Sequence, residues 1–184
     1  MRKILLLGGS SQQIVAITTA KEMGYYTVLC DYLPDNPGQY HADKFYCVST
    51  TDNDAILEVA KKEKVEGIVA YASDPAAPTA AYVSEKLGLP TNPYKSVDIL
   101  CNKDKFRSFL EVHNFNTPKA KGYSSIEEAK REIEEFNLPV LIKPVDSSGS
   151  KGISRLDEIA ELDDKVECAL SYSRAKRFII EEFV

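Results

Sequence analysis

The sequence is short of metal ligands and of paired cysteines. Two histidines and four cysteines occur in 184 residues, and none of Cys30, Cys47, Cys101 and Cys168 forms a CxxC pair. A zinc site therefore has little to draw on. Scattered cysteines with apolar flanks suit a reducing cytoplasm, where Cys behaves as a small hydrophobe. An excess of basic residues is also lacking: 23 Lys and Arg stand against 28 Asp and Glu, a net charge of −5. That argues against nonspecific binding to nucleic acid or an anionic membrane, since both need a positive field. It leaves room for a small anionic ligand, which needs only a few placed cations. Long apolar runs are missing too. Residues 4–7 are too few for a signal-peptide core and lead into a polar glycine turn. No stretch approaches transmembrane length, and no repeat or low-complexity segment is visible, so a cytoplasmic globular protein is expected.

What is present is an alternation of strand and helix patterns. Residues 2–7 (RKILLL) form an apolar run closed by Gly8-Gly9, the pattern of a central parallel strand. Ile14, Val15, Ile17 and Ala20 follow at helical spacing, with Gly24 suited to the helix end. Further strands are expected at 26–30, 44–48 and 67–71. Helices are expected from Asp52 or Asn53 to residue 62, and over 75–87 with Gly88 as terminator. Short connections between such elements point to a doubly wound parallel sheet. The stretch 88–98 (GLPTNPYKSVD) breaks the rhythm with two prolines, and a boundary is expected there. Beyond it the pattern reads helix (102–112), strand (119–123), a charged helix capped by Ser124, strand (139–143), strand (153–155), helix (158–172) and strand (177–184), an α+β unit. The chain stops at Phe183-Val184 inside this apolar run, so a piece of a longer protein is expected.

Five stretches carry candidate chemistry. GGSSQQ, residues 8–13, lets backbone approach a ligand at a helix N-terminus, and Asp31 ends the second strand. The G-x-G-x-x-G spacing fails, however, because Ser10 and Gln13 occupy the second and third glycine positions. Residues 147–152 (SSGSKG) are not a Walker A loop, because Lys151 is followed by Gly152 and then a strand pattern. The loop fits a flap whose backbone N–H groups fold over phosphates, and equally a Ser/Gly turn between strands. Lys143 closes the apolar run Val140-Leu141-Ile142, where lysine is rarely buried unless paired; a snorkelling side chain also fits. Asn102-Lys103-Asp104-Lys105-Phe106-Arg107 opens a helix with clustered charge, as ordinary helix starts do. Finally, Glu181 and Glu182 follow Phe178-Ile179-Ile180. On a strand they point to opposite faces and cannot act on each other. Such a strand can offer its backbone to a purine edge, with Glu181 accepting from an exocyclic amine, or can simply be an exposed sheet edge. Taken together, Lys103 and Lys143 around a Ser/Gly loop describe a cationic pocket for a triphosphate.

The order of these stretches resembles the ATP-grasp ligases, in the branch of biotin carboxylase, carbamoyl-phosphate synthetase large chain and the purine-synthesis ligases. The resemblance covers essentially the whole chain. GGSSQQ, Asp31 and His41-Ala42-Asp43 resemble the family's opening. It implies a Rossmann-like parallel sheet, the pre-ATP-grasp domain, over 1–93, a linker helix region over 94–116, and a small α+β ATP-grasp lid subdomain over 117–184. It implies ATP and Mg2+ as cofactors, and a carboxylate or bicarbonate activated as an acyl phosphate for attack by an amine. Lys103 is implied at the α-phosphate, and Lys143 at the phosphates and the N7 side of adenine. Ser147, Ser148, Gly149, Ser150, Lys151 and Gly152 are implied as the flap over the β- and γ-phosphates. Glu181, with the backbone of Glu182 and Val184, is implied as the adenine hinge. Gly9, Ser10, Ser73 and Asp74 are candidates for the substrate side, although they also suit helix caps. Catalytic residues and metal ligands are expected beyond Val184, none within this stretch, so the chain alone is expected to be inactive. A homodimer is a further implication. The alternative is a nucleotide or dinucleotide-binding module without ligase activity.

Overall fold

The computed structural model describes residues 2–184. Its contacts divide the chain into two compact units, Met1–Asp98 and Ile99–Val184.

In the first unit the elements run β1 (Lys3–Leu7), α1 (Ile14–Glu22), β2 (Tyr26–Asp31), β3 (Lys44–Cys47), α2 (Asn53–Glu63), β4 (Gly67–Val69) and α3 (Ala77–Leu87). The four strands pair in parallel in the order β3-β2-β1-β4. The chain therefore builds outward from β1 and then returns to its other side, which puts the topological switch point between the ends of β1 and β4. Both faces of the sheet are covered, which is why β1 and β2 read as unbroken apolar runs. Leu6 and Leu29 pack with Ile17 of α1 on one face. Leu5, Leu7, Val28 and Cys30 pack with Ile56, Val59 and Val83 of α2 and α3 on the other. Burial and the neighbouring Asp31 push the Cys30 thiol up to about 12, so this cysteine acts as an inert core residue.

The opposite edge of the sheet is fastened by one carboxylate. Glu63, the last residue of α2, is buried. It accepts from Lys3 Nζ at 2.8 Å, from Lys44 Nζ at 2.6 Å and from Tyr46 Oη at 2.5 Å. These partners start β1 and line β3, so the carboxylate ties a helix end to two strands.

In the second unit the order is α5 (Lys103–Val112), β5 (Ala120–Tyr123), α6 (Ile126–Glu132), β6 (Val140–Pro144), β7 (Ser154–Leu156), α7 (Leu162–Tyr172) and β8 (Phe178–Glu182), preceded by α4 (Tyr94–Cys101), within which the division between units falls. The strands pair antiparallel in the order β5-β8-β6-β7. Tyr123, Val140, Ile142, Phe178 and Ile180 face a core shared with α6 and α7. By the strand alternation, Gly122, Leu141, Lys143, Ile179 and Glu181 face the other way.

Helix α4 starts at Tyr94, directly after Pro93, where a proline that cannot continue a helix can precede one. Two sequence expectations are corrected. The charged helix α6 is capped by Ser125 rather than Ser124: Ser125 is extended, and Glu128 N donates to its Oγ at 3.2 Å. The final strand is not an exposed edge, since β8 lies between β5 and β6.

The three donors to Glu63, in the order Lys3, Lys44 and Tyr46, hold its carboxyl down to about 2 from an ordinary 4.5. A depressed acid contributes stability above its unfolded pKa and loses it as pH falls. Glu63→Gln should therefore cost about 1–3 kcal/mol at pH 7. The gap to the parent protein should close between about pH 4.5 and pH 2 in denaturant titrations. A gap that stays constant across that window contradicts the assignment.

Candidate functional site

The face of the second sheet away from α6 and α7 carries the charged residues. Leu141 pairs with Glu181 and Lys143 with Ile179 across β6 and β8, so Lys143 and Glu181 are diagonal neighbours on one face, within reach of long side chains. Their ends meet with Lys143 Nζ 2.7 Å from Glu181 Oε1. The other oxygen, Oε2, accepts from Arg107 Nε at 2.7 Å. Glu181 is only 6% exposed, and a carboxylate so buried is tolerable only when its oxygens are paired. Burial pushes the Glu181 carboxyl up, while Arg107 and Lys143 pull it down, and the outcome lies below the ordinary carboxylate value. It is ionised at neutral pH.

Helix α5 supplies the remaining cation. Lys103 and Arg107 are four residues apart and so share a helix face. The Lys103 backbone N–H donates to Val145 O at 2.9 Å. Its Nζ donates to Pro144 O at 3.1 Å and to Ser147 O at 2.6 Å. Lys103 thus sits at the root of the loop that follows β6. Asp104, buried in the first turn of α5, pairs with Arg177 just before β8, which fastens the helix to the sheet.

The loop itself is held at its start by the connection between α7 and β8, and packs at its end against the last residue of α7. At its start the Asp146 carboxylate accepts from Ser173 Oγ at 2.8 Å and from Ala175 N at 3.0 Å, and the Asp146 carbonyl accepts from Arg174 Nη2 at 2.6 Å. At its end Gly152 has φ +72° and lies against Tyr172, where a Cβ would come within 2.8 Å of the ring. Only glycine meets both conditions. Between these anchors Ser147 Oγ donates to Lys151 O at 3.3 Å, and Gly149, Ser150 and Lys151 are exposed. The result is a tethered flap with small side chains and accessible backbone. Beyond Glu181, the Glu182 carboxylate accepts from Asn137 N and Nδ2, both at 3.0 Å, and Glu182 N donates to Lys119 O at 2.9 Å. Val184 is fully exposed.

The structure therefore brings Lys103, Lys143, Glu181 and the 147–152 flap together on one unit. Gly9, Ser10, Ser73 and Asp74 lie on the other unit, at its switch point. There the glycine turn is internally closed. Gly9 N donates to Asp31 Oδ2 at 2.7 Å, and Ser10 N donates to Gln13 Oε1 at 3.0 Å. Gln13 Nε2 reaches Leu7 O at 3.3 Å and Tyr71 O at 2.9 Å, bridging the ends of β1 and β4. A Cβ on Gly9 would sit 2.0 Å from Asn36 Oδ1. The Gly9 and Ser10 amides thus both have side-chain partners. Sequence reasoning missed Arg107, Asp146 and the Asp104–Arg177 pair. Their only sequence signal was the four-residue spacing of Lys103 and Arg107, because the other partners are far apart in the chain.

No family model matches the chain. Among individual proteins it is 28% identical over 186 residues to formate-dependent phosphoribosylglycinamide formyltransferase of Synechococcus sp. (strain WH7803), covering 99% of this chain and 48% of that protein. It is 26% identical over 197 residues to the carbamoyl phosphate synthase large chain of Thermotoga petrophila, covering 99% of this chain and 18% of that protein. The chain is a homologue of the ATP-grasp enzymes. It spans about half the length of the formyltransferases it matches. ATP-grasp architecture is also what the fold matches. N5-carboxyaminoimidazole synthetase from Staphylococcus aureus, solved with ADP, aligns over all of this chain and 48% of its own, with TM-score 0.77 and 18% identity. The biotin carboxylase domain dimer of Hydrogenobacter thermophilus 2-oxoglutarate carboxylase, solved with MgADP, ADP and bicarbonate, aligns over all of this chain and 44% of its own, with TM-score 0.69 and 21% identity.

Asp146→Ala should release one end of the flap. Amide hydrogen exchange at residues 147–152 should rise at least about tenfold, while exchange in β6 and β8 changes little. Unchanged exchange in the flap contradicts the anchoring role.

Proposed function

We propose that this chain is the N-terminal part of an ATP-dependent ligase that activates a carboxylate, or bicarbonate, as an acyl phosphate for attack by an amine. The observation that carries the reading is the convergence of Lys103, the Lys143–Glu181–Arg107 cluster and the tethered flap on one sheet face. Residues 117–184 then act as the ATP-grasp small subdomain, 94–116 as the linker helix region and 1–93 as the pre-ATP-grasp domain. Lys103 lies at the α-phosphate and Lys143 at the phosphates and the N7 side of adenine. The backbone of Ser147, Ser148, Gly149, Ser150, Lys151 and Gly152 covers the β- and γ-phosphates. Glu181, with the backbone of Glu182 and Val184, receives the adenine edge. The solved neighbours that hold ADP and MgADP support ATP and Mg2+ as cofactors.

A triphosphate fits this donor set: it takes point charges from two lysines and backbone N–H groups from a flap without bulky side chains. Among the described residues no cluster of three or more His, Cys, Asp or Glu is suited to a metal ion. In the reaction a carboxylate oxygen bonds to the γ-phosphorus as the bond to ADP breaks. The amine nitrogen then bonds to the acyl carbon as phosphate leaves. The chain's own groups position the phosphates and offset their charge, which is the main work of phosphoryl-transfer sites.

The acid and amine are assigned to the switch point of the first unit, near Gly9, Ser10, Ser73 and Asp74, where open α/β sheets take ligands. Partners are then small molecules, with no role for nucleic acid or membrane. No helix among the described residues is long and apolar enough to cross a membrane, and the metabolic relatives support a cytoplasmic setting. The dimeric biotin carboxylase neighbour supports a homodimer. No observation favours a dinucleotide-binding module: the G-x-G-x-x-G spacing fails at Ser10 and Gln13, and the Gly9 amide is bonded to Asp31 and the Ser10 amide to Gln13.

Lys143→Ala in the intact protein should weaken binding of MgATP about tenfold or more, the loss expected for one charge-assisted contact. Calorimetric titration reads it directly. Undiminished affinity in the variant contradicts the site.

A further inference from the structure

The residues assigned to ATP also serve one another. Lys143 is bound to Glu181 at 2.7 Å, with side-chain exposures of 13% and 8%. If Lys143 turns to a phosphate, a buried carboxylate loses a cation, which is strongly unfavourable unless another remains. Arg107 is that other cation. It holds Oε2 from α5 through Nε, on the side of the carboxylate away from Lys143. Arg107 reaches Glu181 from a helix fastened by the Asp104–Arg177 pair, so the guanidinium does not have to move when Lys143 does.

Resting on the nucleotide reading above, we infer that Arg107 is a positioning residue: it keeps Glu181 ionised and oriented, so that Lys143 can leave Oε1 for the nucleotide. The two oxygens of Glu181 have different tasks. Oε2 is a fixed anchor to Arg107. Oε1 is an exchangeable site, filled by the Lys143 ammonium in the free protein and by a neutral N–H donor of the base in the complex. A base with a carbonyl oxygen at that position sets two acceptors face to face, so the anchored carboxylate also discriminates among purines. Without Arg107, Glu181 has Lys143 as its sole charged partner and holds it against the nucleotide.

The test is competitive acetylation of Lys143 in the intact protein, read by peptide mass spectrometry with and without MgATP. Acetylation needs the free amine, so a firmly paired ammonium reacts slowly. Arg107→Gln should slow acetylation of Lys143 about tenfold and weaken MgATP by a similar factor, a size typical of a hydrogen bond to a charged group. Arg107→Lys should recover most of both. Glu181→Gln should speed acetylation, and adding Arg107→Gln to it should change neither readout by more than about twofold, as a residue acting only through Glu181 requires. An Arg107→Gln effect that persists in the Glu181→Gln background overturns the positioning role while leaving the nucleotide site standing. The expected acetylation pattern with no protection of Lys143 by MgATP overturns the nucleotide reading, and the exchange with it.

Discussion

A buried carboxylate on the central strand of an antiparallel sheet must be paired, and much of the second unit is arranged around that need. Glu181 accepts from Lys143 of the neighbouring strand and from Arg107 of the helix packed beside it. The lysine at the end of an apolar strand, unexpected for a core strand, is explained by this partner. So is the placement of α5, whose second charged contact, Asp104 with Arg177, lies near the start of the same strand. A cluster of this kind is poor at adding stability compared with an apolar core. On the proposed reading its place on a sheet face is that of a preorganised site, whose charges are held by partners that a ligand can replace.

The flap follows the same economy. Its backbone is left accessible, yet Asp146 and Gly152 hold its two ends to the Tyr172–Ala175 stretch. A loop tethered in this way loses less conformational entropy on closing over a ligand than a free one. Lys103 adds a third hold at the flap root through Ser147 O, a contact that a phosphate can replace. The first unit shows the opposite arrangement at its glycine turn. Asp31 and Gln13 hold the Gly9 and Ser10 amides, and Asn36 leaves no room for a Cβ at Gly9, so a motif that looks open as a string of small residues is tightly bonded in three dimensions.

The strand and helix order of both units was legible in the sequence because it rests on local patterns: apolar runs, helical spacing, and glycine or proline at the breaks. Lys143 and the Ser/Gly loop also stood out locally, although each alone fits a plain strand end and turn. What was not legible depended on pairing across the chain. The position of β8 between β5 and β6 is set by strand order, so Glu181 read as a candidate edge residue when it is in fact central. Arg107 looked like one charge among several at a helix start, and its partner lies 74 residues away. The shift of the α6 cap from Ser124 to Ser125 is a one-residue matter of backbone angle.

The account stands on ATP occupying the second unit between the flap and the Lys143–Glu181 pair. A crystal structure of the intact protein with MgADP tests this most directly. The account predicts the diphosphate beneath residues 147–152, the adenine edge at residues 181–184, and Lys143 Nζ drawn from Glu181 to the nucleotide while Arg107 stays on Oε2. Nucleotide bound at the Gly8–Gln13 turn, or a complex in which Lys143 and the flap make no contact with it, would contradict the account.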